Sequence, residues 1–201
     1  ERNNNIAGSY AGKSTATNKN SLYDSYIRAI RWASDRLRGR GIICYVSNGS
    51  FIDSNSADGL RKCLAEEFTH IYIYNLRGNA MTSGELRRKE AGNVFGDGTR
   101  CPIAITLLVK AGTGRPCEIR YCEVDDYLTR EQKLEELVSS ESFGAMSEAG
   151  RMRVIVPNEY GDWVNRRSDI FGTFLNLGNK NEREREALFE ARYSCGVVTA
   201  R

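Results

Sequence analysis

The stretch Gly-Ile-Ile-Cys-Tyr-Val-Ser at residues 41–47 decides the fold class, together with Pro-Ile-Ala-Ile-Thr-Leu-Leu-Val-Lys at 102–110. Both are short, apolar and rich in β-branched residues, a pattern typical of strands buried on both faces of a sheet. Residues 70–76 are similar, and residues 117–122 alternate in character after Gly112 and Gly114. We predict that all four segments lie in one sheet, the last two as an antiparallel edge hairpin.

Amphipathic stretches alternate with the first of these strands. Tyr23, Ile27 and Ile30 fall on one face of a predicted helix at 21–37, and a second helix is predicted at 57–68. Alternation of helices with apolar strands indicates an α/β layered fold.

Composition divides the chain into three parts. Residues 1–20 are rich in Asn, Ser, Thr and Gly without a hydrophobic period, which predicts a loop or linker. Residues 21–125 hold the predicted sheet, and residues 126–201 form a charged, mixed helical appendage. The predicted elements of this appendage are a helix with a capping box at Thr129 and Gln132, a strand at 154–157 and a helix at 182–193.

The overall composition is that of a globular protein, with 40% hydrophobic and 27% charged residues among 201. No apolar run approaches the roughly 20 residues of a membrane span, and the first residues lack a signal-peptide pattern, so we expect a cytoplasmic protein without membrane partners. The net charge of +3 permits nucleic-acid binding without arguing for it. We expect the six cysteines to be reduced core residues, and no metal site around the single histidine, His70.

Residues 7–14, Ala-Gly-Ser-Tyr-Ala-Gly-Lys-Ser, match a relaxed phosphate-binding loop. Such a loop needs a buried strand before it and a helix after it. The polar residues on either side fit neither, so a nucleotide-binding domain is only a third alternative.

The basic, glycine-rich segment 77–100 carries the clearest sign of function. Long loops in compact domains are usually functional or disordered, and Arg and Lys neutralise nucleic-acid phosphates. A solvated insertion is the alternative. The candidate DNA-binding residues are Arg77, Arg87, Arg88, Lys89 and Arg100.

Several long stretches resemble the methyltransferase region of Type ISP restriction-modification enzymes and related helicase-methylase fusions. In layout the chain also resembles the broader gamma class of adenine DNA methyltransferases. The resemblance covers about residues 8–125, with Tyr-Gly-Asp-Trp at 160–163 in addition. Its main stretches are Asn-Ser-Leu-Tyr-Asp-Ser-Tyr (20–26), Ala-Ile-Arg-Trp-Ala-Ser-Asp (29–35), Val-Ser-Asn-Gly-Ser-Phe-Ile-Asp (46–53), Tyr-Asn-Leu-Arg-Gly-Asn (74–79) and Val-Phe-Gly (94–96) before Pro-Ile-Ala-Ile (102–105).

The resemblance implies a Rossmann-like sheet, S-adenosylmethionine as the cofactor of the parent enzyme, and double-stranded DNA and the remaining parent domains as partners. The target adenine is extruded from the duplex, because its amino group cannot be reached in the stack. An Asn-Pro-Pro-aromatic motif then grips the amine. This chain has only Pro102, Pro116 and Pro157, with no Pro-Pro, and it lacks the glycine-containing cofactor motif. We therefore expect the C-terminal half of the methyltransferase, with no catalytic residue, no cofactor site of its own and no activity alone.

The resemblance assigns one residue role directly. An aromatic residue before the penultimate strand packs on the flipped adenine, and Phe95 occupies that place; the alternative is that Phe95 anchors its loop in the core. Asn48 and Ser50 follow a predicted parallel strand, where α/β sheets place ligands, although capping a turn is their commoner role. A stand-alone α/β nucleic-acid-binding module without chemistry remains the alternative function.

Overall fold

Five strands form one mixed sheet in the computed structural model, which describes residues 2–112, 114–164, 170 and 173–174. The predicted α/β class and the four predicted strands are confirmed, each strand end within one residue. The order across the sheet is β1-β3-β2-β4-β5. The strands are β1 Gly41–Asn48, β2 His70–Arg77, β3 Ile103–Lys110, β4 Glu118–Glu123 and β5 Arg153–Ile155.

Three of the strands run in the same direction. Strand β3 is antiparallel to both β1 and β2, and β4 is parallel to β2. The carboxyl ends of β1, β2 and β4 therefore lie at the same end of the sheet, which we call its carboxyl edge. Strand β5 closes the other side, antiparallel to β4.

The predicted hairpin between 102–110 and 117–122 is wrong, because β2 lies between β3 and β4. Strands β3 and β4 are therefore two strand spacings apart, about 10 Å, a distance that the residues connecting them span easily. Strand β2 is apolar on both faces, with Ile71, Ile73 and Tyr74 all buried, and so it takes a central position.

The helices pack on both sides of the sheet. The predicted helix at 21–37 is shorter, since a 3-10 turn at Asn20–Tyr23 precedes it, and the one at 57–68 is found almost as expected. The capping box at Thr129 is present. The helices are α1 Arg2–Gly8, α2 Tyr10–Lys13, α3 Ser25–Ser34, α4 Asp58–Glu67, α5 Gly84–Glu90, α6 Arg130–Ser139 and α7 Phe143–Glu148. None in the described part of the chain is long and apolar enough to cross a membrane.

Two hydrophobic clusters follow from the alternation of side chains along the strands. On one face, Ile30 of α3 and Leu60 and Leu64 of α4 join Ile71 and Leu108 in the larger cluster. On the other face, α6 and α7 contribute to a smaller cluster around Tyr74 and Met146.

Strand β1 was predicted to be buried on both faces, and this is wrong. It lies at the edge of the sheet, with Ile42 65% and Val46 54% exposed and Cys44 exposed between them. A continuous apolar run predicts apolar side chains on both faces of a strand. It does not tell whether other residues of the same chain cover each face. The expectation that all cysteines are core residues fails at Cys44 for the same reason, although Cys63 and Cys122 are buried.

The predicted loop at 1–20 is also wrong, since α1 and α2 lie within it. Ile6, Tyr10 and Ala11 are buried, and the Tyr10 ring lies under the Arg31 guanidinium at 5.2 Å. These few apolar residues are spaced so that they lie on one helical face, but the polar residues around them obscure this pattern in the sequence. Residues 10–13 are helical and Lys13 pairs with Glu66, so the phosphate-loop alternative fails as well.

The predicted boundary near 125 is not observed, because one compact unit extends from Glu1 to Arg166. Strand β5 belongs to the main sheet, and the fully buried Arg61 donates to Gly161 O and to Asp162 Oδ1 at 2.8 and 3.0 Å. These long-range contacts cannot be read from local composition. The predicted helix at 182–193 lies outside the described residues.

Candidate functional site

A pocket of about 190 Å³ opens at the shared carboxyl ends of β1, β2 and β4. This is the edge at which open α/β sheets bind their ligands. Most of the lining is polar, although Ile52, Leu86, Pro102 and Val164 also contribute. The polar lining side chains are Asp53, Asn75, Arg77, Asn79, Thr82, Glu90, Tyr121 and Glu123.

A chain of hydrogen bonds crosses the floor of the pocket. The Asn75 amide donates to the Tyr121 hydroxyl at 3.0 Å, and that hydroxyl donates to Glu123 Oε2 at 2.8 Å. Burial raises the pKa of Tyr121, which keeps the hydroxyl protonated as a donor. The floor therefore offers fixed polar atoms to a ligand.

Desolvation against the pocket wall also raises the pKa of the Asp53 carboxyl above its ordinary value. Carboxylates outnumber the single arginine in the lining. Such a surface favours a neutral or hydrogen-bond-donating ligand over a phosphate.

Arg77 has its guanidinium at this pocket, but internal carboxylates hold it. It pairs with Asp126 and lies 3.5 Å from Glu90. Burial alone would lower the pKa of Arg77, yet the Asp126 and Glu90 carboxylates raise it. Arg77 also has a positive φ of 57°, so it ends β2 in a conformation that bends the chain away from the sheet.

Three of the other candidate DNA-binding residues, Arg87, Arg88 and Lys89, lie in the last turn of α5, so segment 77–100 is not a bare loop. Arg88 pairs with Glu85, Lys89 lies 3.0 Å from Asp126, and Arg87 donates to Ala91 O at 2.8 Å. Arg100 is exposed. Internal pairing thus reduces the positive charge that this segment presents to a phosphate backbone.

Phe95 points away from the core, with 62% of its surface exposed. Its neighbour Val94 is 6% exposed and belongs to the smaller core cluster. The buried Asn93 amide donates to Gly78 O and Cys101 O, and its Oδ1 accepts the Phe95 N–H. The alternative in which Phe95 is the core anchor is therefore wrong, since Val94 and Asn93 anchor the loop.

Asn48 and Ser50 flank the pocket without lining it. The Asn48 side chain accepts the Ser50 N–H at 2.9 Å, which caps the turn after β1. Gly49 between them lines the pocket and donates its N–H to Pro102 O at 2.8 Å. The structure brings both residues near the pocket, with Asn48 in the capping role that was the alternative.

The other polar residues of the pocket were not predicted from the sequence: Asp53, Asn75, Asn79, Thr82, Glu90, Tyr121 and Glu123. Asn75 and Glu123 stand at the ends of predicted strands, and Asp53 follows β1 after a short turn. Polar residues at strand ends were the available signal, but which ends meet depends on the strand order.

Solved structures of other proteins share this fold. A nuclease-deletion mutant of the Type ISP restriction-modification enzyme LlaGI, in complex with a DNA substrate mimic, matches with a TM-score of 0.81 and 46% identity over 90% of this chain. The chain is similar to a segment of Type ISP restriction-modification enzymes. This confirms the expected resemblance at the level of Type ISP restriction-modification enzymes.

Two further structures agree with that similarity. The ATP-dependent Type ISP enzyme LlaBIII bound to DNA matches with a TM-score of 0.83 and 38% identity over 90% of this chain. A DrdV–DNA complex matches with a TM-score of 0.80 and 35% identity over 94% of it. The chain spans only 17%, 12% and 19% of the LlaGI, LlaBIII and DrdV chains. No protein-family model matches the chain, and no curated protein matches it.

Proposed function

We propose that this chain is the target-base half of the adenine methyltransferase domain of a Type ISP restriction-modification enzyme, and that it is inactive alone. The observation that carries the proposal is its 46% identity to a DNA-bound Type ISP enzyme over 90% of its length. The pocket at the carboxyl ends of like-directed strands supports it, because that edge is where such sheets bind ligands.

The open side of the sheet also supports a half-domain. Within the described residues no strand pairs with the outer edge of β1. The exposed Ile42, Cys44 and Val46 all project from the same face of that strand. Isolated proteins rarely leave an apolar edge strand uncovered, because it recruits other strands. A preceding half of the sheet would cover both the edge and the face.

The described residues do not complete a site for S-adenosylmethionine, which supplies the methyl group in the proposed parent enzyme. No strand pairs with the outer edge of β1 in the described part of the chain, so a cofactor crevice on that side would have one wall only. The chain also contains no Pro-Pro sequence. The cofactor and the amine-gripping motif therefore belong to the other half.

This half would receive the extruded adenine. An exposed aromatic ring on an anchored loop is suited to stacking on a base that has left the duplex, and Phe95 has that environment. Asn48 and Ser50 would shape the turn beside the base. The DNA backbone would pass Arg87, Arg88, Lys89 and Arg100, with Arg77 holding the segment to the sheet.

Calorimetric titration of S-adenosylmethionine into the 201-residue chain tests the half-domain assignment. We expect no binding heat, because one wall of the cofactor crevice is missing. Low-micromolar binding would show that the chain holds a complete cofactor site and would overturn the proposal. A titration of DNA in parallel checks that the preparation is competent to bind a ligand.

A further inference from the structure

Lys133 on α6 is a buried cation held only by backbone oxygens among its described contacts. Its side chain is fully buried, and Nζ donates to Glu90 O at 2.7 Å and to Gly92 O at 2.8 Å. Within the described part of the chain no salt bridge joins it to a carboxylate. Burying a charge without an ion pair is costly, so its position calls for a reason other than stability.

The two carbonyls that Lys133 holds lie on either side of Ala91. Ala91 has φ 48° and ψ −135°, a positive-φ conformation that is strained for any residue with a Cβ. Gly92 lies tightly against α6, because a Cβ there would come within 2.7 Å of Arg130 N. The lysine therefore fixes the turn by which the chain leaves α5.

Further bonds join the same two regions. Arg130 Nε donates to Val94 O at 3.0 Å, and Tyr127 N donates to Lys89 O at 3.0 Å. Asp126 pairs with Arg77 and with Lys89. We call residues 126–133 the clamp. It contacts the segment 77–94, from the end of β2 to the residue before Phe95.

Val94 is the last residue that the clamp contacts, and the residue after it is exposed. Val94 is bonded and buried, whereas Phe95 is 62% exposed. We propose that Lys133 and Arg130 are positioning residues, which hold the exit from α5 so that the backbone at Phe95 is fixed and its exposed ring projects from a defined place. The functional part of this inference rests on the proposed contact between Phe95 and the target base.

Amide hydrogen exchange in the 201-residue chain tests the clamp without any methylation assay. Lys133→Met keeps the length of the side chain and removes both hydrogen bonds, and Arg130→Met, at an exposed position, is a second variant. We expect about tenfold faster exchange at residues 89–96, since one charge-assisted bond is worth at least that factor. Exchange in β2 and β3 should not change.

Lys19→Met is the matched control, because Lys19 also donates to a backbone oxygen, Ala11 O at 2.8 Å, away from the clamp. It should leave residues 89–96 unchanged. The inference is overturned if both clamp variants leave exchange at 89–96 unchanged, or if they accelerate it equally throughout the sheet.

The second measurement uses the complete methyltransferase and a duplex with 2-aminopurine at the target adenine. At saturation, confirmed by anisotropy, we expect Lys133→Met to reduce the fluorescence gain per bound duplex several-fold, while DNA affinity changes less than twofold. An unchanged gain contradicts the positioning role. If the wild-type enzyme shows no fluorescence gain, the proposed function fails. The exchange measurement alone then tests whether Lys133 and Arg130 hold residues 89–96.

Discussion

Val94 and Phe95 are adjacent residues in opposite environments, the first in the core and the second largely in solvent. Nothing in the local sequence separates them, because both are large, apolar and set among polar residues. Their roles follow from the backbone: Asn93 Oδ1 accepts the Phe95 N–H and Arg130 Nε donates to Val94 O, so both bind the peptide group that joins Val94 to Phe95. The sequence could therefore suggest an aromatic at this place but not its exposure.

Replacing Phe95 by alanine should weaken methylation by the complete enzyme about 5- to 150-fold, because stacking a base on an aromatic ring contributes roughly 1–3 kcal/mol. The melting temperature should hardly change, since the ring is exposed. Phe95→Tyr and Phe95→Trp should retain most activity. Val94→Ala is the control and should lower stability by roughly 1–3 kcal/mol. A Phe95→Ala variant that melts several degrees lower and regains full activity on cooling would contradict this account.

Lys133 should make stability depend on pH. Burial lowers its pKa to about 8 in the folded chain, against about 10.4 in an unfolded one. Between these values the unfolded chain binds more protons, so stability rises with pH by roughly 1–3 kcal/mol. Urea unfolding at about pH 8 and about pH 10 measures this rise, which Lys133→Met should remove. Equal pH dependence in both proteins would show that Lys133 titrates normally.

At the scale of elements, apolar runs and helical periodicity predicted β1 to β4 and α4 closely, because these patterns are local. Which strands pair was not predictable in the same way. Strand β2 lies between β3 and β4 through contacts distant in sequence, and so the expected hairpin was wrong. Likewise β5 and the Arg61–Asp162 pair attach residues that composition had assigned to an appendage.

The buried Arg61–Asp162 pair makes that attachment testable. Both side chains are 1% exposed. Asp162→Ala removes the carboxylate that pairs with the fully buried Arg61 guanidinium, so it should lower the free energy of unfolding by about 3–5 kcal/mol. Chemical denaturation measures the loss, with the exposed Glu159→Ala as a control. A loss below about 1 kcal/mol would mean that residues near 162 form a separate appendage.

The edge strand β1 should make the isolated chain self-associate. Ile42→Lys places a charge on its exposed face, which should reduce association while changing stability by less than about 0.5 kcal/mol. Ile43→Ala, on the buried face, should instead cost about 2–5 kcal/mol. Analytical ultracentrifugation and denaturant unfolding separate the two effects. If Ile42→Lys destabilises the chain as strongly as Ile43→Ala, the face is not exposed.

At the scale of the molecule, three features agree: a sheet with an open edge, a pocket at the ends of its like-directed strands, and similarity to segments of much longer DNA-bound enzymes. The resemblance in the sequence pointed to the same enzymes, whereas composition and charge alone permitted nucleic-acid binding without indicating a reaction. The chain contains no Pro-Pro sequence, from which we expected half of a domain, and the uncovered face of β1 is compatible with that proposal.

Transfer of a labelled methyl group from S-adenosylmethionine to adenine in duplex DNA tests whether this chain is one half of an adenine methyltransferase domain. The assay compares this chain alone, the preceding half of the parent protein alone, and the two expressed together. We predict adenine methylation only when both halves are present, and its loss when Phe95→Ala is introduced into this half is the internal control. Methylation by this chain alone, or full methylation by the preceding half alone, would contradict the account.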